Sequence, residues 1–273
     1  MNAVSTAAPA GDGLYEGDLS IIGRVTTASN LTLVCEIDSG GGDRLRVVYK
    51  PVRGERPLWD FPDGTLAGRE VASYLVCAGL GWQVIPETIL REGPLGPGMV
   101  QRWIDTVDPA EAAPTRLDLV DLVPAGAVPD GFREVLRAVD GSGERVSLVH
   151  ADDPRLRRMA VLDLLINNAD RKGGHALEGL DGQVYGVDHG ICLHTEPKLR
   201  TVLWGWAGEP VGQDLCDDIA KFLTRLPGTV ADDLAEHLTD AEIDALAGRA
   251  QALLDDPVLP RPFTARPIPW PAF

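Results

Sequence analysis

The sequence predicts an α+β protein of two lobes, a small antiparallel sheet carrying one helix followed by a mainly helical part. Strand-like alternation fills the chain up to residue 104 with a helical stretch after the third run, and helical spacing dominates the second half. Within the second half lie two short loops that each carry an aspartate, Asn167-Asn168-Ala169-Asp170-Arg171-Lys172-Gly173-Gly174-His175 and Gly186-Val187-Asp188-His189-Gly190, close enough in sequence to be joined by a hairpin.

Residues 1–13 are small and polar and read as a disordered lead-in. Ser20–Val25 and Leu31–Ile37 are strands around the polar turn Thr26-Thr27-Ala28-Ser29-Asn30, and Ser39-Gly40-Gly41-Gly42-Asp43 leads into a third strand, Leu45–Tyr49. Arg69–Ala78 is a helix, with Val71, Tyr74, Leu75 and Ala78 at helical spacing and Gly79 as its stop. Ile85–Leu90 and Gly98–Ile104 are two further strands about a Gly-Pro-rich turn. These elements make up a first lobe over 14–105.

The second lobe spans 106–257. Its Ala- and Pro-rich opening, Ala110–Pro129, reads as a linker with a short helix. Asp152-Asp153-Pro154 starts a helix, because proline is tolerated at the first helical position and a carboxylate there satisfies free amides. Apolar residues from Leu156 to Ile166 carry that helix to the Asp170 loop. His175–Leu180 and Gln183–Val187, about Asp181-Gly182, form the hairpin that delivers Asp188. Helices are expected over Asp214–Leu226 and Thr239–Leu254, the latter opening with a capping box at Thr239 and Glu242. The tail, 258–273, holds too many prolines for a regular element, and its Phe263, Trp270 and Phe273 suggest that it packs back on the body.

Composition narrows the function. A net charge of −16 over 273 residues argues against nucleic acid and anionic membrane surfaces as partners, since both bind through clustered Lys and Arg. A solvated acidic face accounts for the excess equally well. No run of apolar residues is long enough to span a bilayer, and the start of the chain lacks the charged-then-apolar pattern of a signal peptide. Cys35, Cys77, Cys192 and Cys216 show neither Cys-x-x-Cys pairs nor zinc-ligand spacing, so reduced thiols and a cytoplasmic location are expected.

The chemistry rests on the two aspartate loops. A phosphoryl-transfer site needs one carboxylate to orient the attacking hydroxyl and another to hold the divalent ion that bridges the nucleotide phosphates. Asp170 suits the first role and Asp188 the second, although each alone also suits a plain turn. Lys50 closes the third strand and Glu70 lies in the next helix, the order in which such enzymes place a phosphate-contacting lysine and the glutamate that holds it. His175 is either a metal ligand that favours Mn²⁺ over Mg²⁺ or a loop histidine bonded to backbone. His189 and His194 read as structural, and His150 and His237 lack acidic or cysteine partners at metal-ligand spacing. Thr26–Asn30, with Ser29 and Asn30 at its end, is placed to cover phosphates but lacks the glycines of a G-x-G-x-x-G loop. Trp204-Gly205-Trp206 is an acceptor platform or an aromatic core patch.

Val48-Tyr49-Lys50-Pro51, Arg69-Glu70-Val71-Ala72, Val100-Gln101-Arg102-Trp103-Ile104, the Asp170 loop and Val187-Asp188-His189-Gly190 together resemble the phosphatidylinositol 3- and 4-kinase-related superfamily. Within it they resemble an actinobacterial family, over roughly Gly13 to Leu254, with more distant similarity to bacterial persistence-toxin kinases. The resemblance implies a bilobal, protein-kinase-like fold and ATP with Mg²⁺ or Mn²⁺ as cofactors. It also implies Lys50 on the phosphates, Glu70 pairing it, Gln101, Arg102, Trp103 and Ile104 as the adenine-contacting hinge, Asp170 in catalysis and Asp188 on metal. His175 stands where the superfamily carries Asn. The expected activity is a kinase acting on a protein hydroxyl or a small molecule, the alternatives being a nucleotide-binding pseudokinase and an adenylyl transferase.

Overall fold

The computed structural model describes residues 12–107 and 117–273, apart from 27, 29, 39–43, 57 and 63. The chain divides into two compact units, Met1–Arg56 with Thr88–Trp103, and Pro57–Glu87 with Ile104–Phe273.

The first unit is a five-stranded antiparallel sheet of β1 (Asp18–Arg24), β2 (Leu33–Asp38), β3 (Arg44–Pro51), β4 (Thr88–Gly93) and β5 (Gly96–Arg102), ordered β1-β2-β3-β5-β4. Leu33, Cys35 and Ile37 on β2 and Val47 and Tyr49 on β3 alternate with less buried residues, so one face of the sheet makes the core. Leu14, Leu19, Ile89 and Val100 complete it. The Tyr49 hydroxyl donates to the Gly96 carbonyl at 2.6 Å, closing the β4–β5 hairpin. Gly98 is required there, since a Cβ would fall 2.5 Å from the Tyr49 ring.

The second unit holds α1 (Leu66–Gly79), α2 (Pro154–Leu165), α3 (Gln213–Arg225), α4 (Ala231–Ala235) and α5 (Asp240–Asp255). Thr65 caps α1 by accepting from the Gly68 amide, and the Thr239–Glu242 capping box opens α5 as its sequence predicts. Although α1 falls between β3 and β4 in sequence, its packing groups it with this unit. On α2, Leu156, Met159, Leu162 and Leu165 are all buried, at helical spacing. Each contributes roughly 1.5–3 kcal/mol by leaving water. They anchor the C-terminal end of α2, from which the Asp170 loop departs.

Three strands absent from the sequence reading, β6 (Val120–Pro124), β7 (Phe132–Val139) and β8 (Arg145–Ala151), pair in the order β6-β8-β7. They correct the short helix expected within 110–129: the described part of that stretch contains β6, and 108–116 lie outside the described residues. Val120 packs into the core and β6 pairs along its whole length with β8, from Val120 opposite His150 to Pro124 opposite Val146, so strand pairing prevails over an alanine-rich composition. The lead-in expected over 1–13 reaches the structure in a helical turn at Asp12–Leu14 whose last residue is fully buried. Residues 1–11 lie outside the described residues.

The tail does pack back, but partly through its backbone. The Ala272 carbonyl accepts from the Gly173 amide, the Pro267 carbonyl accepts from the Trp204 indole, and Phe263 meets Trp204 edge-on. Trp270, at 94% exposure, takes no part in that packing.

Candidate active site

The Asp170 loop is shaped by two asparagines. Asn167 turns the chain out of α2 with φ 52°, a left-handed conformation that Asn tolerates better than most residues. Its amide donates to the carbonyls of His194 and Glu196 and its oxygen accepts from the Lys198 amide. Asn168 donates to Asp163 Oδ1 at 2.9 Å and accepts from the Asp170 amide at 2.9 Å, so the backbone of Asp170 is held from the core side. Backbone bonds from Arg200 to Asn168 and from Arg171 to Arg200 hold it from the other.

The second aspartate loop arrives on the hairpin of β9 (Ala176–Glu178) and β10 (Val184–Gly186), as predicted. Asp181 shapes its turn by accepting from the Gln183 amide and the Tyr185 hydroxyl. The Val187 amide then donates to the His175 carbonyl, linking the two loops. Asp188 itself has φ 61°, and its side chain, 47% exposed, brings Oδ2 to 3.4 Å from His175 Nε2. The amide of the next residue, His189, donates to Glu70 Oε2 at 3.1 Å.

Burial raises the Asp170 carboxyl above its ordinary range, the Lys172 ammonium 3.2 Å away opposes the rise, and the negative charge of Asp188 adds to it. The charge of Asp188 is thus felt at Asp170, with burial the larger cause. Beneath both loops lies a fully buried ion pair, Arg171 with Asp163.

Of the residues singled out by sequence, Glu70, Ile104, Asp170, His175 and Asp188 lie in the second unit. Lys50, Asn30, Gln101, Arg102 and Trp103 lie in the first, and Ser29 lies outside the described residues. Lys50 is half-buried at the end of β3, paired in register with Met99. Asn30 accepts from the Arg56 amide, and the buried Gln101 side chain donates to the Thr88 hydroxyl at 2.8 Å. Trp103 donates its amide to the Arg46 carbonyl and lies under the Arg46 guanidinium. Asp163, Arg171, Asn167 and Lys172 carry contacts at the loops that were not assigned from sequence. A carboxylate inside Val-Leu-Asp-Leu-Leu-Ile was the signal for Asp163, because such a group must find a cation or donors.

Several alternatives resolve. His189 is structural: it is fully buried with Nε2 2.6 Å from Arg171 Nη2, and a guanidinium can only donate, so this nitrogen accepts. His150 is bonded through Nδ1 to the Ala151 carbonyl and through Nε2 to the Gly205 amide, and burial pulls its pKa down to about 4. Trp204 and Trp206 are buried, with the Trp206 indole donating to Asp152, so this segment belongs to the core.

Asp188 offers a carboxylate oxygen and His175 an imidazole nitrogen, a mixed set that suits Mn²⁺ better than the all-oxygen shell Mg²⁺ prefers. Asp188 Oδ2 and His175 Nε2 lie 3.4 Å apart, so both would be within reach of one ion. Among the described residues no group of three His, Cys, Asp or Glu side chains is assembled for a metal. A site completed by nucleotide phosphates and water needs only one or two protein ligands.

Protein Rv2133c of Mycobacterium tuberculosis is 58% identical over 264 residues, covering 95% of this chain and 94% of the relative. The chain belongs to the family of that protein. No protein-family profile matches the sequence. The chain shares its fold with hydra Fam20, solved with a sugar, at a TM-score of 0.51 and 14% identity over 89% of this chain and 86% of that one. A kinase of Helicobacter pylori, CtkA, aligns with a TM-score of 0.42 and 11% identity over 89% of this chain and 93% of that one. The fold is α+β and protein-kinase-like, an antiparallel sheet unit followed by a mainly helical one. No helix among the described residues is long and apolar enough to cross a membrane.

Proposed function

We propose that the protein is an ATP- and divalent-metal-dependent phosphotransferase whose acceptor is a hydroxyl of a protein or a small molecule. The observation that carries this reading is the pair of aspartate loops. The Asp170 amide is held by the Asn168 side chain and the amide after Asp188 by Glu70, Asp188 is the more exposed of the two, and its charge is felt at Asp170.

Asp170 orients the acceptor hydroxyl and takes its proton, a task its raised pKa suits. Lys172, bonded to Asp170, neutralises charge beside it. Asp188 and His175 hold the divalent ion, Mg²⁺ or Mn²⁺, which when bound offsets the charge that develops on the transferred phosphoryl group. Glu70 braces the Asp188 loop through the His189 amide. Lys50 contacts the phosphates with Glu70 as its partner, Ser29 and Asn30 cover them, and Gln101, Arg102, Trp103 and Ile104 contact adenine, all on the resemblance to the phosphatidylinositol 3- and 4-kinase superfamily. Kinship with that superfamily is part of this proposal, as is a cytoplasmic location.

The test is incubation with ATP labelled at either the α or the γ phosphate, with Mg²⁺ or Mn²⁺ and a panel of protein, sugar and small-molecule acceptors. Transfer of the γ label, lost in Asp170→Ala, is expected. Transfer of the α label instead makes the protein an adenylyl transferase. Binding of ATP with no transfer of either label makes it a nucleotide-binding regulator.

A further inference from the structure

Arg171 is completely buried, and all of its hydrogen-bonding capacity is spent inside the site. Nε donates to Asp163 Oδ2 at 2.9 Å and Nη2 donates to Asp163 Oδ1 at 2.9 Å, a bidentate pairing on the C-terminal part of α2. Nη1 donates to the carbonyls of His175 at 3.2 Å and Val187 at 3.1 Å, and the second Nη2 proton goes to His189 Nε2. A guanidinium has five N–H donors, and here each has an acceptor.

The acceptors fall on three different segments. Asp163 belongs to α2, His175 ends the Asp170 loop, and Val187 and His189 flank Asp188. Asp163 in turn accepts from Asn168, which holds the Asp170 amide. The hairpin makes room for this arrangement at Gly186, where a Cβ would lie 3.0 Å from Arg171 Nη2 and 3.3 Å from Nη1. The left-handed Asp188 is clasped on its N-terminal side by Arg171, through the Val187 carbonyl, and on its C-terminal side by Glu70, through the His189 amide, so its backbone is held from both sides.

We propose that Arg171, seated on Asp163, is a positioning residue that fixes the spacing of Asp170, His175 and Asp188 and thereby sets the affinity of the site for its divalent ion. The inference rests on the proposed transferase reading for what the ion does, but its test does not need turnover. Lysine at position 171 would keep the charge that pairs with Asp163 while offering its donors from one point, which cannot span both carbonyls and the His189 ring.

The experiment compares the full chain with Arg171→Lys and Gly186→Ala, the latter keeping the ion pair but crowding the guanidinium. Mn²⁺ binding is measured by electron paramagnetic resonance, folding by circular dichroism, and kcat and KM for ATP by γ-phosphate transfer. Arg171→Lys is expected to stay folded well below its melting temperature and to bind Mn²⁺ about 10–100-fold more weakly, as loss of an outer-sphere partner does at metal sites. Its kcat should fall with KM for ATP unchanged at saturating metal, and Gly186→Ala should shift Mn²⁺ affinity in the same direction. A purely structural role would lower the melting temperature and leave the Mn²⁺ affinity and kcat of the folded protein at wild-type values, which overturns the proposal. Should Arg171→Lys fail to fold, wild-type Mn²⁺ affinity in Gly186→Ala overturns it alone. Wild-type protein that binds Mn²⁺ without transferring phosphate ends the transferase reading but still tests Arg171, whereas wild-type protein that binds no Mn²⁺ ends both.

Discussion

The two units hold themselves together by different means. In the first, Leu33, Cys35, Ile37, Val47, Tyr49 and Val100 fill the core from alternating strand positions, and the ion pair Arg44–Glu36 sits at the surface. In the second, a larger apolar core encloses formal charges: Arg171 with Asp163, and Arg69 with Glu242 at 2.6 Å. Burying a charge pair is weak evidence of stabilisation, because desolvation consumes most of the attraction. What a buried pair does supply is direction, since its hydrogen bonds are satisfied in one arrangement only. In this protein the charged interior lies under the loops of Asp170 and Asp188 and beside Glu70, the residues to which the proposed function gives roles. In the first unit the sheet core is apolar and the Arg44–Glu36 pair lies outside it.

The largest effect expected from this contrast is that of breaking one partner of the buried pair. Arg171→Met leaves the Asp163 carboxylate unpaired in the core and should cost about 3–5 kcal/mol in urea denaturation. A loss below 1 kcal/mol would mean that water reaches the pair and that the contrast is false.

Acid should expose the next difference. His150 titrates near 4 when folded and at an ordinary 6.5 when unfolded, so the unfolded chain takes up a proton first as pH falls. Its contribution is therefore fully present above 6.5 and is lost progressively down to about 4, on the order of 3 kcal/mol in all. The denaturation midpoint measured across that range should fall in wild type and fall less steeply in His150→Gln. Equal slopes would remove His150 from the account.

In the first unit the expected effects are smaller. Ile37→Val removes one buried methylene from the sheet core and should cost about 0.5–1.5 kcal/mol. Arg44→Ala, which deletes an exposed pairing, should change stability by less than about 1 kcal/mol. If Arg44→Ala rivals Arg171→Met, surface charge matters here as much as buried charge and the comparison fails.

Elements governed by local pattern were legible in the sequence. The strands around Lys50, the helix that begins at Asp153-Pro154, the hairpin before Asp188 and the capping box at Thr239 each announce themselves within a few residues. Strand ends drifted by a few residues, as at β4, which starts at Thr88 and runs on through Gly93. The sheet of β6, β7 and β8 was not legible. Ala- and Pro-rich residues precede β6, and β7 carries Arg133, Glu134 and Arg137 among its apolar positions, so neither period stands out. At the site, the aspartates were visible as motifs, but the guanidinium that ties their loops was not. Arg171 meets Asp163 eight residues back and His189 eighteen residues on, a pairing that only the fold creates.

The most direct test of the central claim, that Asp170 and Asp188 divide catalysis and metal holding between two braced loops, is a melting measurement with ATP and Mn²⁺ run beside a transfer assay. A ligand at a hundred times its Kd stabilises the state it binds by about 2.7 kcal/mol. Wild type and Asp170→Ala should both gain from ATP with Mn²⁺, Asp188→Ala should lose most of the gain, and both variants should lose transfer. An Asp188→Ala protein that keeps the full melting gain and still transfers phosphate would contradict the account.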